Sequence, residues 1–465
     1  MSKFKHDLLL RIVKSVNVIL MVLPFALCWY LYYANRLDSP YYAKGNYLVI
    51  GLFVVLYYMF GKIYDGFLIS YSRISEIVYS QSLAVCFADL IMYIVTWLLM
   101  KRLPNALPMI AAFGGQILVS VLWALRANRW YFKTFPPKAA AVIYDERIGL
   151  SKLIEKYGLD NKFDVQVKAH VDDVIGHPEV LNGIATVFLS GIHSHERNVI
   201  LKYCIANDIV VFVIPRIGDT IMSGAKGMHM FHLPMLRVGR YNPPPEYLFI
   251  KRAMDIVLSG VALVVLSPIF LITAIAVKSD GGPAFYKQTR LGKNGVPFDL
   301  IKFRSMKVDA EKDGVARLST GDNDDRITPV GRFIRKCRLD ELPQLLNILR
   351  SDLTIVGPRP ERPSISSSYC EEMPEFALRL QAKQGLTGYA QVYGKYNTTP
   401  YDKLQMDLTY IAHPSIVEDL KIIMATVKIL FMPESTEGVA AGQTTAMDYE
   451  NAADSIENDA ETVAK

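Results

Sequence analysis

Asp340 and Glu341 adjoin one another just downstream of Arg335 and Arg338, in the run RKCRLDELPQLLNILRSDLTIVGPRPERP, residues 335–363. Proline is tolerated only in the first turn of a helix, so Pro343 sets a helix start near Asp340–Leu342. Leu342, Leu345, Leu346 and Leu349 then recur at i, i+3, i+4 and i+7, which gives that helix one buried face. The two carboxylates are therefore expected at a helix N-terminus beside arginines, a setting that favours bound phosphate and a deprotonated acid. An ionised aspartate held against a phosphate can attack it, forming an acyl phosphate. Taken alone, an Asp-Glu pair here is more often plain capping and dipole compensation; its context has to decide.

The elements that must position this pair begin upstream. Residues 281–306, GGPAFYKQTRLGKNGVPFDLIKFRSM, set Lys287, Arg290, Lys293, Lys302 and Arg304 among strand-like and turn-like segments. Before them, Ile256–Val277 runs twenty-two residues without a charge. Its length suits a membrane crossing, but Ser267-Pro268 near its middle removes a backbone donor and kinks or breaks the helix. Lys251 and Arg252 precede it and Lys278 follows, so both ends carry the same kind of basic flank. A re-entrant hairpin over residues 251–278, entering and leaving on one membrane face, is the expectation.

Composition frames the rest. The chain has 465 residues, room for about three domains. Apolar residues make up 51% and charged residues 21%, with a mean hydropathy of +0.20, so part of the chain is expected in lipid. These values exclude a disordered regulator, a collagenous chain and a disulfide scaffold, and the five cysteines lack CxxC metal spacing. From Glu434 onward eight acidic residues and one lysine give −7, so the preceding residues carry +13 of the net +6. A basic body suits phosphates, nucleotides or an anionic leaflet, and no nucleic-acid partner is expected.

Four apolar segments open the chain: Ser15–Ala34, Asn46–Gly61, Gln81–Met100 and Ala106–Leu125. They read as four spans, the first no cleavable signal peptide. Lys3, Lys5, Arg11 and Lys14 before them and Arg126, Arg129, Lys133 and Lys138 after them put both flanks in the cytoplasm, outweighing Lys101 and Arg102. Asp89, inside the third span, is expected to contact polar groups of the bundle rather than to catalyse.

Residues 136–241 alternate short apolar strands (Ala139–Tyr144, Val165–Val167, Thr186–Leu189, Ile209–Ile214) with helical stretches near Gly149–Tyr157 and His195–Asn207. Parallel βαβ units follow, hence a Rossmann-like domain. The turn after the first strand reads YDERIGLSK, without the glycines that let a pyrophosphate approach, so a structural or regulatory role is expected. His193 and His195 have no evident carboxylate partner and read as surface residues. Asn242-Pro-Pro-Pro245 is a stiff linker, and residues 434–465 an acidic disordered tail.

Together, KRAMDIVLSG with its Ser267-Pro268 break, FYKQTRLGKNG, LIKFRSM, LDELPQL, VGPRPERP, GLTGYAQV and DLKI resemble, in order and spacing, the bacterial polyprenyl-phosphate phosphoglycosyl transferases in their long, monotopic-core form. The resemblance implies three parts: a membrane α-helical bundle of four spans (1–135), an α/β Rossmann-like domain (136–241) and an α/β monotopic phosphoglycosyl transferase core with a re-entrant membrane helix (246–433). It implies an enzyme of the bacterial inner membrane, its catalytic domain facing the cytoplasm, that moves a sugar-1-phosphate from a UDP-sugar to undecaprenyl phosphate, initiating exopolysaccharide or capsule synthesis. UMP would be released, through a covalent intermediate on Asp340 with Glu341 as helper. It further implies Mg²⁺, with Asp340 as a metal contact, membrane lipid as partner, and a homodimer. By the same resemblance Arg359, in rigid Gly357-Pro-Arg-Pro360, would clamp nucleotide phosphate or base, with Lys302, Arg304 and Arg335, then Gln288 and Arg290, as phosphate partners. The family commonly has serine at Arg338, proline at Gln384 and tryptophan at Tyr389.

Two other readings lack their residues. A nucleotide-sugar dehydratase or epimerase on a membrane anchor needs a GxGxxG turn and a Tyr-x-x-x-Lys pair, and Tyr203 is not followed by that lysine. A non-enzymatic scaffold has no reason to keep both the acidic pair and Arg359.

Overall fold

Four long helices start the chain: α1 (Lys3–Cys28), α2 (Lys44–Ile63), α3 (Ile74–Met100) and α4 (Leu107–Thr134). All are long and apolar enough to cross a membrane. Their polar groups face inward: Asn17, Gln81, Gln116 and Ser120 have no exposed surface, whereas Leu27 (63%), Leu98 (70%) and Ile110 (61%) are open to the surroundings. Such an arrangement is stable in hydrocarbon, which can satisfy no hydrogen bond, and not in water. Tyr57 donates to Asn17 at 2.7 Å and Ser120 to Gln81 at 2.8 Å. Asp89 lies in the same interior, and the Gln116 amide, with its nitrogen turned inward, donates to it at 2.8 Å. Past Cys28, α1 widens into a π turn, Trp29–Tyr33, whose Trp29 indole donates to Asn46 at 3.0 Å.

The computed structural model describes residues 3–41, 44–145, 150–156, 158–279, 281–308, 310, 324, 326–394 and 398–430, so the acidic tail lies outside the described residues. Two compact units result, Met1–Ile214 and Pro215–Lys465. After the helices, the first unit holds β1 (Lys138–Tyr144), β2 (Phe163–His170), β3 (Thr186–Ser190) and β4 (Val210–Val213). They form an all-parallel sheet of order β2-β1-β3-β4, with α5 (Leu150–Lys156), α6 (Val171–Gly176) and α7 (Ser194–Ala206) along the crossovers. Ile143, Val187, Leu189, Ile200 and Cys204 are packed in its core. β2 is longer than Val165–Val167 because it is an edge strand whose alternate residues are polar and exposed, which hides it from an apolar-run reading. Asp145, just past β1, faces His170 at 3.6 Å and His193 at 3.9 Å, so the fold supplies the carboxylate that the sequence around His193 lacks.

The second unit opens with α8 (Ile217–Ser223) and the antiparallel hairpin β5 (Lys226–Met230) and β6 (Leu233–Arg237), ahead of the triproline. Then come α9 (Pro245–Val265) and α10 (Ser267–Lys278), bent by 65° where Leu266 separates them, with Pro268 in the first turn of α10. Both ends of this pair are tied to the same core. Arg252 donates to the carbonyls of Ile348 and Leu349 (2.7 and 2.9 Å), and Lys251 pairs with buried Asp419 at 2.9 Å. Asp255 accepts from Thr354 Oγ1 (2.7 Å) and the Ile355 amide (2.9 Å). At the far end, Arg304 donates to the Val277 carbonyl at 3.0 Å. The basic pair Lys251-Arg252, read from sequence as a topological flank, is thus spent on packing.

Candidate active site

Antiparallel β7 (Phe285–Leu291) and β8 (Pro297–Phe303) pair Tyr286 with Lys302. Next come α11 (Pro329–Lys336), a 3₁₀ turn Leu339–Glu341, and α12 (Gln344–Leu349). The acidic pair sits in the 3₁₀ turn, not in an α-helix starting at Asp340–Leu342. Arg338 takes a left-handed backbone (φ 56°), which ends α11, and Pro343 becomes the N-cap of a six-residue helix. The buried face of α12 comes from Gln344, Leu345, Asn347 and Ile348. Asn347 fixes α12 on β8, accepting from the Ile301 amide at 3.0 Å and donating to the Asp299 carbonyl at 2.8 Å. Lys302 is thereby held over the acidic turn.

Glu341 Oε1 accepts from Arg359 Nη2 at 2.8 Å and from Lys302 Nζ at 3.4 Å. Burial alone would raise this carboxyl, but Arg359 and Lys302 hold it well below the usual range. Asp340 is 9% exposed and has no cation at ion-pair distance among the described residues. Burial, and then the Glu341 charge, push its carboxyl up to about 6. Burial lowers the Lys302 ammonium, against the pull of Glu341, while Glu341 raises the Arg359 guanidinium. Two adjacent acids have thus been driven apart, one locked as an anion and one left without a fixed counter-charge.

Arg359 follows a close backbone crossing. β9 (Thr354–Val356) and β10 (Gly385–Thr387) pair in parallel, and a Cβ on Gly385 would fall 2.1 Å from the Gly357 amide nitrogen. Only glycine admits that contact, which sets where the following Pro358-Arg359 turns. Beyond Glu341, Arg359 donates Nη1 to Gln391 at 2.7 Å, and its carbonyl accepts from Arg379 Nη2 at 2.8 Å. Arg379, 1% exposed, pairs in turn with Asp407 at 2.6 Å and Glu361 at 3.6 Å. Glu361 also bonds Lys403, and these cations bring its carboxyl down to about 2 against its burial.

The expected phosphate partners divide. Lys302 and Arg359 line one small cleft together with Arg290, Gln344 and Pro360. Arg335, in the last turn of α11, acts on Asp340, and its buried Nη1 makes no hydrogen bond among the described residues. Arg290 and Gln288 bind each other, at 2.6 and 3.0 Å, and Arg290 also donates to the Pro360 carbonyl, so Gln288 acts on the site through Arg290. Arg304 does not belong with them. It is buried and gives its donors to the carbonyls of Pro283 (3.0 Å), Met306 (3.3 Å) and Val277 (3.0 Å), holding the chain after α10 against the end of β8. A lysine has no planar fork to bridge three carbonyls, so Arg304→Lys is expected to lower stability by about 2–3 kcal/mol. An unchanged thermal midpoint would contradict this placement.

Gln391, Arg379, Asp407 and Lys403 were not evident as site residues. Gln391 lies in the GLTGYAQV stretch, but Arg379 and Asp407 are 28 positions apart and in no motif. Among the described residues no group of three His, Cys, Asp or Glu side chains is placed to hold a metal by itself. The buried Asp340 carboxylate, outside any ion pair among the described residues, fits a hard cation of the Mg²⁺ kind, which takes one or two carboxylates and completes its shell with water and phosphate oxygens.

The second unit thus combines a bent apolar helix pair with a buried Asp-Glu turn that faces arginine and lysine. The sequence pattern of the bacterial sugar transferases matches residues 246–433. The chain is 36% identical over 234 residues to UDP-N-acetylgalactosamine-undecaprenyl-phosphate N-acetylgalactosaminephosphotransferase of Aeromonas hydrophila, covering 50% of this chain and 54% of that protein. It is 40% identical over 191 residues to UDP-glucose:undecaprenyl-phosphate glucose-1-phosphate transferase of Caulobacter vibrioides (40% and 71%). The protein so named in Escherichia coli is 39% identical over 226 residues (47% of each). The chain belongs to the bacterial sugar transferase family. The match spans about half the length of the Aeromonas and Escherichia relatives.

Proposed function

We propose that this protein is a transferase that moves a sugar-1-phosphate from a UDP-sugar to undecaprenyl phosphate. The observation that carries the reading is Asp340: a buried carboxylate without its own counter-ion, beside an unspent Arg335 donor and next to Glu341, which two cations hold. The relatives' names supply the substrate class. A carboxylate oxygen of Asp340 attacks the sugar-bearing phosphorus. The bond from that phosphorus to the oxygen bridging to the uridine-bearing phosphate breaks, and UMP departs with the electron pair. An oxygen of undecaprenyl phosphate then attacks the same phosphorus, the Asp340 acyl-phosphate bond breaks, and the carboxylate is restored. Arg335, Arg359 and Lys302 offset the charge gathering on phosphate oxygens, and Glu341 orients the cations and the acceptor. Asp340 would contact Mg²⁺, which supplies charge neutralisation of the diphosphate.

In this reading α9 and α10 form a re-entrant hairpin. Supporting it are the 65° bend and the attachment of Arg252, Asp255 and Val277, at opposite ends of the pair, to one core. The parallel sheet is read as a Rossmann-like domain, on strand order and direction, and the catalytic unit as cytoplasmic, at the inner membrane. Ser279→Cys, with the five native cysteines replaced, should resist an impermeant thiol reagent in intact cells and react after permeabilisation. External labelling would mean that the pair crosses.

The test of function is UMP release from a panel of UDP-sugars with undecaprenyl phosphate and Mg²⁺. At least one donor should give UMP and a lipid-linked sugar diphosphate in equal amounts. Failure with every donor would overturn the proposal.

A further inference from the structure

A cavity lies far from the acidic turn in sequence and wholly within the first unit. It measures about 250 Å³. Its walls come from the first turns of α1 (His6, Leu10 and Lys14), the turn between α2 and α3 (Phe67–Tyr71), the end of α4 (Tyr131), the sheet at Lys138, Phe163 and Phe212, and Lys162 in the turn before β2. Successive spans alternate direction, so the start of α1, the α2–α3 turn and the end of α4 share one membrane face. The sheet follows directly from α4, which puts the cavity at the depth where lipid headgroups lie.

Its charge is one-sided. Lys14, Lys138 and Lys162 line it, and among the described residues no Asp or Glu does. Lys162 is 8% exposed. Its ammonium donates to Ser70 Oγ at 3.0 Å and lies over the rings of Tyr71 and Phe163, with no carboxylate at ion-pair distance among the described residues. Burial, and then the Lys138 charge, push that ammonium down to about 7. Partly buried cations without an acid are costly unless an anion joins them, and the aromatic wall offers apolar contact beside the charge. A tetrahedral phosphate oxyanion, accepting from several ammonium groups, is the ligand this geometry suits.

We propose that this cavity binds a phosphate-bearing anionic headgroup where the helical bundle meets the parallel sheet, with Lys14, Lys138 and Lys162 as its cationic contacts. It shares no residue with the acidic turn, and the proposal does not depend on the transferase reading.

The full chain is placed in phosphatidylcholine nanodiscs, and its thermal unfolding midpoint is followed in two arms. In one, glycerol 3-phosphate is titrated as a soluble phosphomonoester. In the other, phosphatidylglycerol replaces a growing fraction of the phosphatidylcholine. A saturable rise in midpoint is expected, and the arm that produces it identifies the source as free phosphate or lipid. Lys162→Gln and the more accessible Lys14→Gln should each weaken half-saturation about tenfold, the loss of one charge-assisted contact, while Lys162→Arg retains it. No rise in either arm, or a rise undiminished in both glutamine variants, would overturn the proposal. Should Lys162→Gln fail to fold, Lys14→Gln decides alone.

Discussion

Asp340→Asn is expected to abolish UMP release from the donor, a loss of about 10⁴-fold or more, because the substitution removes the proposed nucleophile and keeps its volume. The wild-type chain should form a phosphosugar adduct on Asp340 with donor alone, detectable by intact mass, and the variant none. Activity should also follow the acid itself. The Asp340 carboxyl lies near 6 through its burial and the Glu341 charge, so the attacking anion is present above that pH and falls about tenfold per unit below it. The same shift has a stability sign. A carboxyl whose folded pKa is raised above the unfolded value of about 3.9 penalises the folded state once ionised, fully above about 6 and not at all below the unfolded value. Asp340→Asn should therefore raise the unfolding free energy at pH 7.5 by on the order of 1–3 kcal/mol, with the gain vanishing toward pH 3. Undiminished UMP release by the variant would sink the mechanism.

Arg359→Ala should lower kcat/KM for the UDP-sugar by about 10²–10³-fold. Glu341 then loses its 2.8 Å partner and keeps Lys302 at 3.4 Å. Two neighbouring acids would share one cation fewer, and an incoming diphosphate would meet more negative charge. Arg359→Lys should recover little, because a point charge cannot bridge Gln391 Oε1 and Glu341 Oε1 as the planar fork does. The Arg379–Asp407 pair and the Gly357–Gly385 crossing remain in both variants, so circular dichroism and elution volume should be unchanged. A loss of activity that tracks unfolding instead would make Arg359 a structural residue.

The sequence was informative where the physics is local. The four apolar helices, the alternation of strands and helices, and the helix break at Ser267-Pro268 all appear in the fold, the first and fourth helices overrunning their apolar segments by as much as twelve and nine residues, because hydrophobic period and proline geometry act on neighbours. The acidic pair and its basic neighbours were equally legible. Legibility failed for charge whose partner is remote. Arg304 has the same type and spacing as Lys302, yet one holds carbonyls and the other holds Glu341. The alternation along β8 does not reveal that difference, since only packing against α10 and the acidic turn decides which partners are within reach. Lys251 and Arg252 likewise read as a topological flank and prove to hold a buried aspartate and a helix end. Sequence alone determined the classes of element and the acids that could attack phosphate. Tertiary structure decided that Asp340 stands without a fixed counter-charge while Glu341 takes Arg359 and Lys302. Ion pairing across 18 and 39 residues depends on burial and distance, and neither is written in the order of residues.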